Sequence, residues 1–187
     1  KIENRKERKA WISEIGKKYW VAAILGIIIL TSFLLMIFSA QKDSMVVDEQ
    51  VHISAGYLHT WYGNDTFNTE HPPLLNDLAG LFAKIGKPNL PQKSYQGFKG
   101  SEQWDYAALF WYHSGNNIEK IIFYSRLPFI LLTLGLIYLC FIWARTLFGP
   151  KAGLVAAALV GFCPNILAHG RLATTDLGVA FFFLLFF

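Results

Sequence analysis

Residues 19–40 read YWVAAILGIIILTSFLLMIFSA, 22 residues without a charge. At 1.5 Å of rise per residue a helix of that length reaches about 33 Å, enough to cross a hydrocarbon core about 30 Å thick. Residues 127–144 (18 without a charge) and 152–170 (19) repeat the pattern. A fourth run, 177–187, has 11 residues when the sequence stops, about half the depth of a bilayer. The chain therefore reads as the N-terminal piece of a longer membrane protein. Overall, 53% of the 187 residues are hydrophobic and 16% charged, against about 25% charged in a soluble domain. The missing charges are missing from these runs, which argues against a soluble globular protein.

The net charge of +4 comes from 17 Lys+Arg against 13 Asp+Glu, and it is unevenly placed. Seven basic residues fall in 1–18, and Arg145 and Lys151 flank the turn between the second and third runs. Residues 41–120 hold six Lys and nine acids. By the positive-inside rule the N-terminus and the 145–151 turn are cytoplasmic and the long loop is external. The charge thus encodes topology and does not point to nucleic acid. The expected order is a basic tail (1–18), a first span (19–40), an external loop (41–120), a second span (121–144), a cytoplasmic turn (145–151), a third span (152–168), an external turn (169–176) and the start of a fourth span (177–187). A cleaved signal peptide is the competing reading of the first run, but its apolar core is 7–15 residues long, and this run is longer. Cys140 and Cys163 both fall in expected spans, as small apolar packing residues.

An 80-residue loop carries structure of its own. Asp48 to Tyr62 reads as a helix stopped by Gly63-Asn64, with Asp48, His52 and His59 on one stripe at 100° per residue. Pro72-Pro73 start a second helix, in which Leu74, Leu75, Leu78, Leu81, Phe82 and Ile85 form an apolar face and Gly86 is the stop. Too short to span, it is expected along the external membrane interface. Residues 87–100 read as a basic loop. Residues 101–113 read as a third helix, with Ser101 as N-cap and Trp104, Phe110, Trp111 and Tyr112 as interfacial aromatics.

The residues able to carry chemistry gather on the external side: Asp48-Glu49 after the first span, Glu70-His71 in mid-loop, Arg126 opening the second span, and Arg171 and Asp176 around the last external turn. Charges near span ends either snorkel or serve a site. Taken singly, each has an ordinary explanation: headgroup anchoring for an arginine, helix capping for Asp176, a dipole-favoured helix start for Asp48-Glu49. Together they point to Arg126, Arg171 and Asp176 converging on one cavity at the membrane surface. A zinc-protease reading of Glu49-x-x-His52 fails, because that motif needs a histidine where Asp48 stands.

In order, Asp48-Glu49-x-x-His52, Gly56-Tyr57, Glu70-His71-Pro72-Pro73-Leu74, Arg126-Leu127-Pro128, Leu147-Phe148-Gly149 and Pro164-Asn165-Ile166-Leu167-Ala168-His169-Gly170-Arg171-Leu172-Ala173-Thr174-Thr175-Asp176 resemble the bacterial branch of the phospholipid carrier-dependent glycosyltransferases. These are similar to the protein O-mannosyltransferases and to the aminoarabinose transferases of lipid A. The resemblance runs from about residue 48 to the end.

It implies an all-α integral membrane protein of GT-C type, a multi-helix transmembrane bundle with interfacial helices in a long first external loop. It sits in a bacterial-type inner (plasma) membrane, with the site on the external, periplasmic face. The donor would be a polyprenyl-phosphate-linked sugar, and the acceptor a protein or lipid hydroxyl, with inversion at the anomeric carbon. Asp48 takes the base's place, with Glu49 orienting the acceptor or holding the local network. Glu70, His71, Arg126 and Arg171 stand as donor and phosphate ligands, and His52 and Asp176 as site support. No cofactor is required for certain; a divalent metal at Glu70 is compatible with the pattern. His71 departs from the lysine of the aminoarabinose branch, and further catalytic groups are expected beyond Phe187. The rival reading is a non-catalytic membrane transporter or scaffold whose acids line a pathway.

Overall fold

The computed structural model describes residues 2–91 and 102–187, with side chains from Tyr19 onward. Among these residues the chain is all-helical: α1 (Ile2–Lys42), α2 (Val47–Tyr62), α3 (Pro73–Ala83) continued by a 3-10 turn (Lys84–Gly86), α4 (Gln103–Tyr112), α5 (Ile118–Phe148), α6 (Pro150–Gly161), α7 (Pro164–His169) and α8 (Asp176–Phe186). Ser101 and most of the expected basic loop lie outside the described residues.

Two helices are long and apolar enough to cross a membrane, Tyr19–Lys42 and Ile118–Phe148. The second starts where the Asn117 side chain accepts the Lys120 N–H at 3.0 Å and ends at Gly149, whose φ of 89° suits glycine. The third expected span, 152–168, is not one helix. Pro164 lacks an N–H and its ring bars the preceding residue from helical geometry; Cys163 accordingly sits at φ −65°, ψ 121°. The run breaks into the 12-residue α6, about 18 Å long, and the six-residue α7.

Helices α1, α5 and α6 pack through Leu25, Ile28, Ile137, Phe141, Leu154 and Ala157. Close approach is needed where α1 meets α6: Ser32 Oγ donates to the Gly161 carbonyl at 2.9 Å, and a Cβ on Gly161 would stand 2.8 Å from that oxygen.

At one end of this bundle α2, α3 and α4 form a second layer. Its core holds Tyr57, Leu58, Tyr106, Phe110 and Trp111, joined by Ile121 and Phe129 from α5. Phe110 and Trp111 are therefore interior residues and not interfacial ones; Trp111 Nε1 donates to the Gln50 carbonyl at 2.9 Å. Trp104 and Tyr112 remain exposed. Helix α3 meets α2 through its small face, Asn76, Ala79, Gly80 and Ala83, all buried. A Cβ on Gly56 would stand 1.7 Å from the Asn76 carbonyl oxygen, and one on Gly80 2.1 Å from the Gly56 carbonyl carbon. Of the expected apolar face, Leu75 is buried, while Leu74, Leu81 and Ile85 form an exposed stripe.

Candidate functional site

Glu49 and Arg126, 77 residues apart, form a fully buried pair (Nη2 to Oε2, 2.7 Å). The network closes on itself. Glu49 Oε1 accepts Arg126 Nε at 2.8 Å and the Ala173 N–H at 2.9 Å; Oε2 also accepts the Val46 N–H at 3.1 Å. Arg126 Nη1 donates to the Ala40 and Asp43 carbonyls (3.0 Å each), and Nη2 to the Ser44 carbonyl at 2.9 Å. All five guanidinium donors are thus engaged. This knot ties the end of α1, the start of α2, α5 and the 169–176 turn together.

The sequence had placed Arg126 as a phosphate ligand; sealed and saturated, it has no donor left for one. Glu49 likewise holds the network and does not face a substrate. Their neighbour Asp48 is exposed, since one step along a helix turns the side chain by 100°.

Nor do Arg126, Arg171 and Asp176 converge. Arg171 pairs with Asp43: Nε donates to Oδ2 at 2.7 Å and Nη2 to the same oxygen. Its Nη1 donates to the Leu167 and Ala168 carbonyls. Burial pushes the Asp43 carboxyl up, but the Arg171 guanidinium, with the Ser39 hydroxyl and the Arg126 charge, outweighs it and holds the group below its ordinary value. This pair lines a separate cavity with Lys42, Ser44 and His169. Asp43 lies in no sequence motif; only its place at the end of a span marked it.

Five of the expected residues do meet. Asp48, His52, Glu70, His71 and Asp176 line one cleft of about 220 Å³. Helix α2 supplies the first two, the turn before α3 the next two, and the start of α8 the last. His52 Nδ1 lies 2.7 Å from Asn76 Oδ1 and 2.9 Å from Asn68 Nδ2. Nδ1 carries either a proton or a lone pair, so it donates to the Asn76 amide oxygen or accepts from the Asn68 amide nitrogen, one at a time; Nε2 has no partner among the described residues. The His71 ring stands edge-on to it, 4.9 Å between centroids. Burial lowers the His52 pKa, the Asn76 bond opposes this, and His71 adds to it; the net shift is downward. Glu70 accepts Gln103 Nε2 at 2.8 Å, a bond that lowers its pKa. Thr174 Oγ1 donates to Asp176 at 3.2 Å.

His59 does not join them. It shares the stripe of Asp48 and His52 but lies 11 residues from Asp48, about 16 Å up the helix. There its Nδ1 meets Asp77 Oδ1 at 2.5 Å, in another cavity.

Asn68, Asn76 and Gln103 are the site residues that sequence motifs missed. For Asn76 a signal existed: it heads the small-residue stripe Asn76, Ala79, Gly80, Ala83, which marks a close-packed helix face. Among the described residues no three His, Cys, Asp or Glu side chains are grouped to hold a metal ion, Glu70 included.

At His71 and Thr175 the cleft adjoins an apolar groove of about 440 Å³, lined also by Leu74, Leu75, Val179, Phe182 and Phe183. An acid-lined polar cleft thus lies beside an apolar trough between α3 and α8, with His71 and Thr175 as their shared wall. Compared with known proteins, the chain matches no family model, no curated protein and no solved structure.

Proposed function

We propose that this protein is a membrane glycosyltransferase that moves a sugar from a polyprenyl-phosphate carrier to a hydroxyl acceptor at the external face of the membrane. The observation that carries the reading is the junction at His71 and Thr175 of a carboxylate-lined cleft with an apolar groove. A substrate with a polar sugar, a charged phosphate and a lipid tail matches that sequence of surfaces. The tail lies against Leu74, Val179 and Phe182, and the phosphate comes to His71, whose imidazole donates to its oxygens.

The acceptor hydroxyl is a poor nucleophile until a base removes its proton. Asp48, exposed on the cleft wall, takes that proton as the hydroxyl oxygen bonds to the anomeric carbon. The bond from that carbon to the phosphate oxygen breaks on the opposite face. The lipid phosphate leaves with the electron pair, and configuration inverts. The Glu49–Arg126 knot fixes the first turn of α2, and with it the Asp48 carboxylate. Two helices long enough to span and the basic residues before the first of them support a cytoplasmic N-terminus and an external cleft.

The test is a transfer assay. The full-length protein as it occurs in the cell, in detergent, is given radiolabelled polyprenyl-phosphate sugars and an extract of envelope acceptors. Label moving from lipid phosphate to acceptor supports the reading. Intact donor with every sugar tried would return the protein to the transporter or scaffold class.

A further inference from the structure

A second cavity, about 250 Å³, lies on the far side of Asn68 and His71 from the cleft and shares both residues with it. Its walls carry Asp65, Thr69, Asn76 and the His59–Asp77 pair, with Phe67 as an apolar side. No lysine or arginine lines it, so an anion finds no counter-charge there. Planar carboxylate, amide and imidazole groups around one aromatic ring are instead suited to a ring bearing several hydroxyls. Each such group presents acceptors or donors at fixed spacing, and the aromatic face takes C–H surface. The volume is below that of a drug-sized pocket and matches one sugar unit.

Two details point to a ligand. Asn76 is 5% exposed, and one end of its amide meets His52 Nδ1 at 2.7 Å. The other end, Nδ2, has no protein partner among the described residues and is not sealed from the cavity that the side chain lines, so it is free to donate to an oxygen placed there. Phe67 is fixed by stacking on Tyr106, with centroids 5.0 Å apart and planes 18° apart, so the apolar wall is already formed.

We infer that this second cavity is an acceptor subsite for a sugar. The hydroxyl to be glycosylated then reaches Asp48 past Asn68 and His71, while the lipid-linked donor comes from the apolar groove. The inference rests on the transferase reading and narrows its acceptor to a glycan or glycolipid. Asn76 joins the two spaces, because a hydroxyl held by one end of its amide fixes the end that orients His52.

The test is saturation-transfer NMR on the full-length protein in detergent, without donor, using the methyl glycosides of glucose, mannose and galactose as probes. Thr69 and Asp65 are exposed, so Thr69→Trp, which fills the cavity, and Asp65→Ala leave the fold intact; an unchanged unfolding midpoint verifies that. At least one glycoside should bind the wild type and weaken tenfold or more in both variants. Three results would overturn the subsite: no glycoside binds, binding survives both cavity variants, or an unglycosylated Ser/Thr peptide binds there in place of sugar. Because the readout needs no turnover, glycoside binding in a protein that consumes no polyprenyl-phosphate sugar would leave the sugar site standing and remove the transferase reading.

Discussion

Replacing Arg126 by methionine should be among the most damaging single changes in the protein. Met keeps most of the volume and removes all five donors. Glu49, buried to 0% exposure, would retain only the Val46 and Ala173 N–H groups. The Ala40, Asp43 and Ser44 carbonyls would lose their donors. Breaking a buried pair on one side costs about 3–5 kcal/mol, which lowers the folded-to-unfolded ratio by roughly two to three and a half orders of magnitude at 1.36 kcal/mol per decade. That is a large share of the about 5–15 kcal/mol available to a domain. The second replacement, Glu49→Leu in the Arg126→Met background, removes the stranded charge. It should recover part of the loss, but not all, since five backbone groups stay without partners. Reversible unfolding in mixed micelles, followed by tryptophan fluorescence with Trp111 as the buried reporter, gives the four corners of the cycle. Arg126→Met costing under about 1 kcal/mol, or a double variant equal to the sum of the singles, would refute the sealed, mutually dependent pair.

Three further outcomes are expected. Gly80→Ala places a Cβ 2.1 Å from the Gly56 carbonyl carbon and must push α2 from α3, lowering stability by at least about 1–3 kcal/mol; an unchanged melting temperature would contradict the packing. His52 has a pKa below its ordinary 6.5, so between those values the unfolded chain binds a proton that the folded one does not. Stability should therefore fall as pH drops below about 6.5 and level off under the folded pKa, and His52→Gln should flatten that slope in a pH series of unfolding curves. Phe182→Arg puts a charge in the apolar groove and should raise KM for the lipid-linked donor tenfold or more with little change in kcat; steady-state kinetics showing kcat alone affected would argue against a lipid tail there.

How far the sequence could be read depended on how local each signal was. Helix α2 begins at Val47, one residue before the expected Asp48, and α3 starts at Pro73 as the proline pair required, because caps and prolines act within a turn. The third apolar run misled: composition measured its length, while the geometry was decided by Pro164 acting on Cys163. Charge and span ends alone predict one shared cavity for Arg126, Arg171 and Asp176. Their side chains sorted by partner instead, Arg126 to Glu49 and Arg171 to Asp43, over separations of 77 and 128 residues that no periodicity reaches. The cleft was legible where its residues carry charge, as at Asp48, Glu70 and Asp176. It was illegible where neutral amides do the positioning, as at Asn68, Asn76 and Gln103, since an asparagine in a helix or turn has many structural uses.

The most direct test of the account is sugar transfer by Asp48→Asn beside wild type, in the full-length protein with a polyprenyl-phosphate sugar that the wild type consumes. Asp48 is exposed and has no hydrogen-bond partner among the described residues, so the variant should unfold at the wild-type midpoint and still bind donor. Its transfer rate should fall by about 10²–10⁴-fold, the usual contribution of a positioned base. Transfer at the wild-type rate by a folded, donor-binding Asp48→Asn would contradict the assignment of this cleft as the place where the acceptor loses its proton.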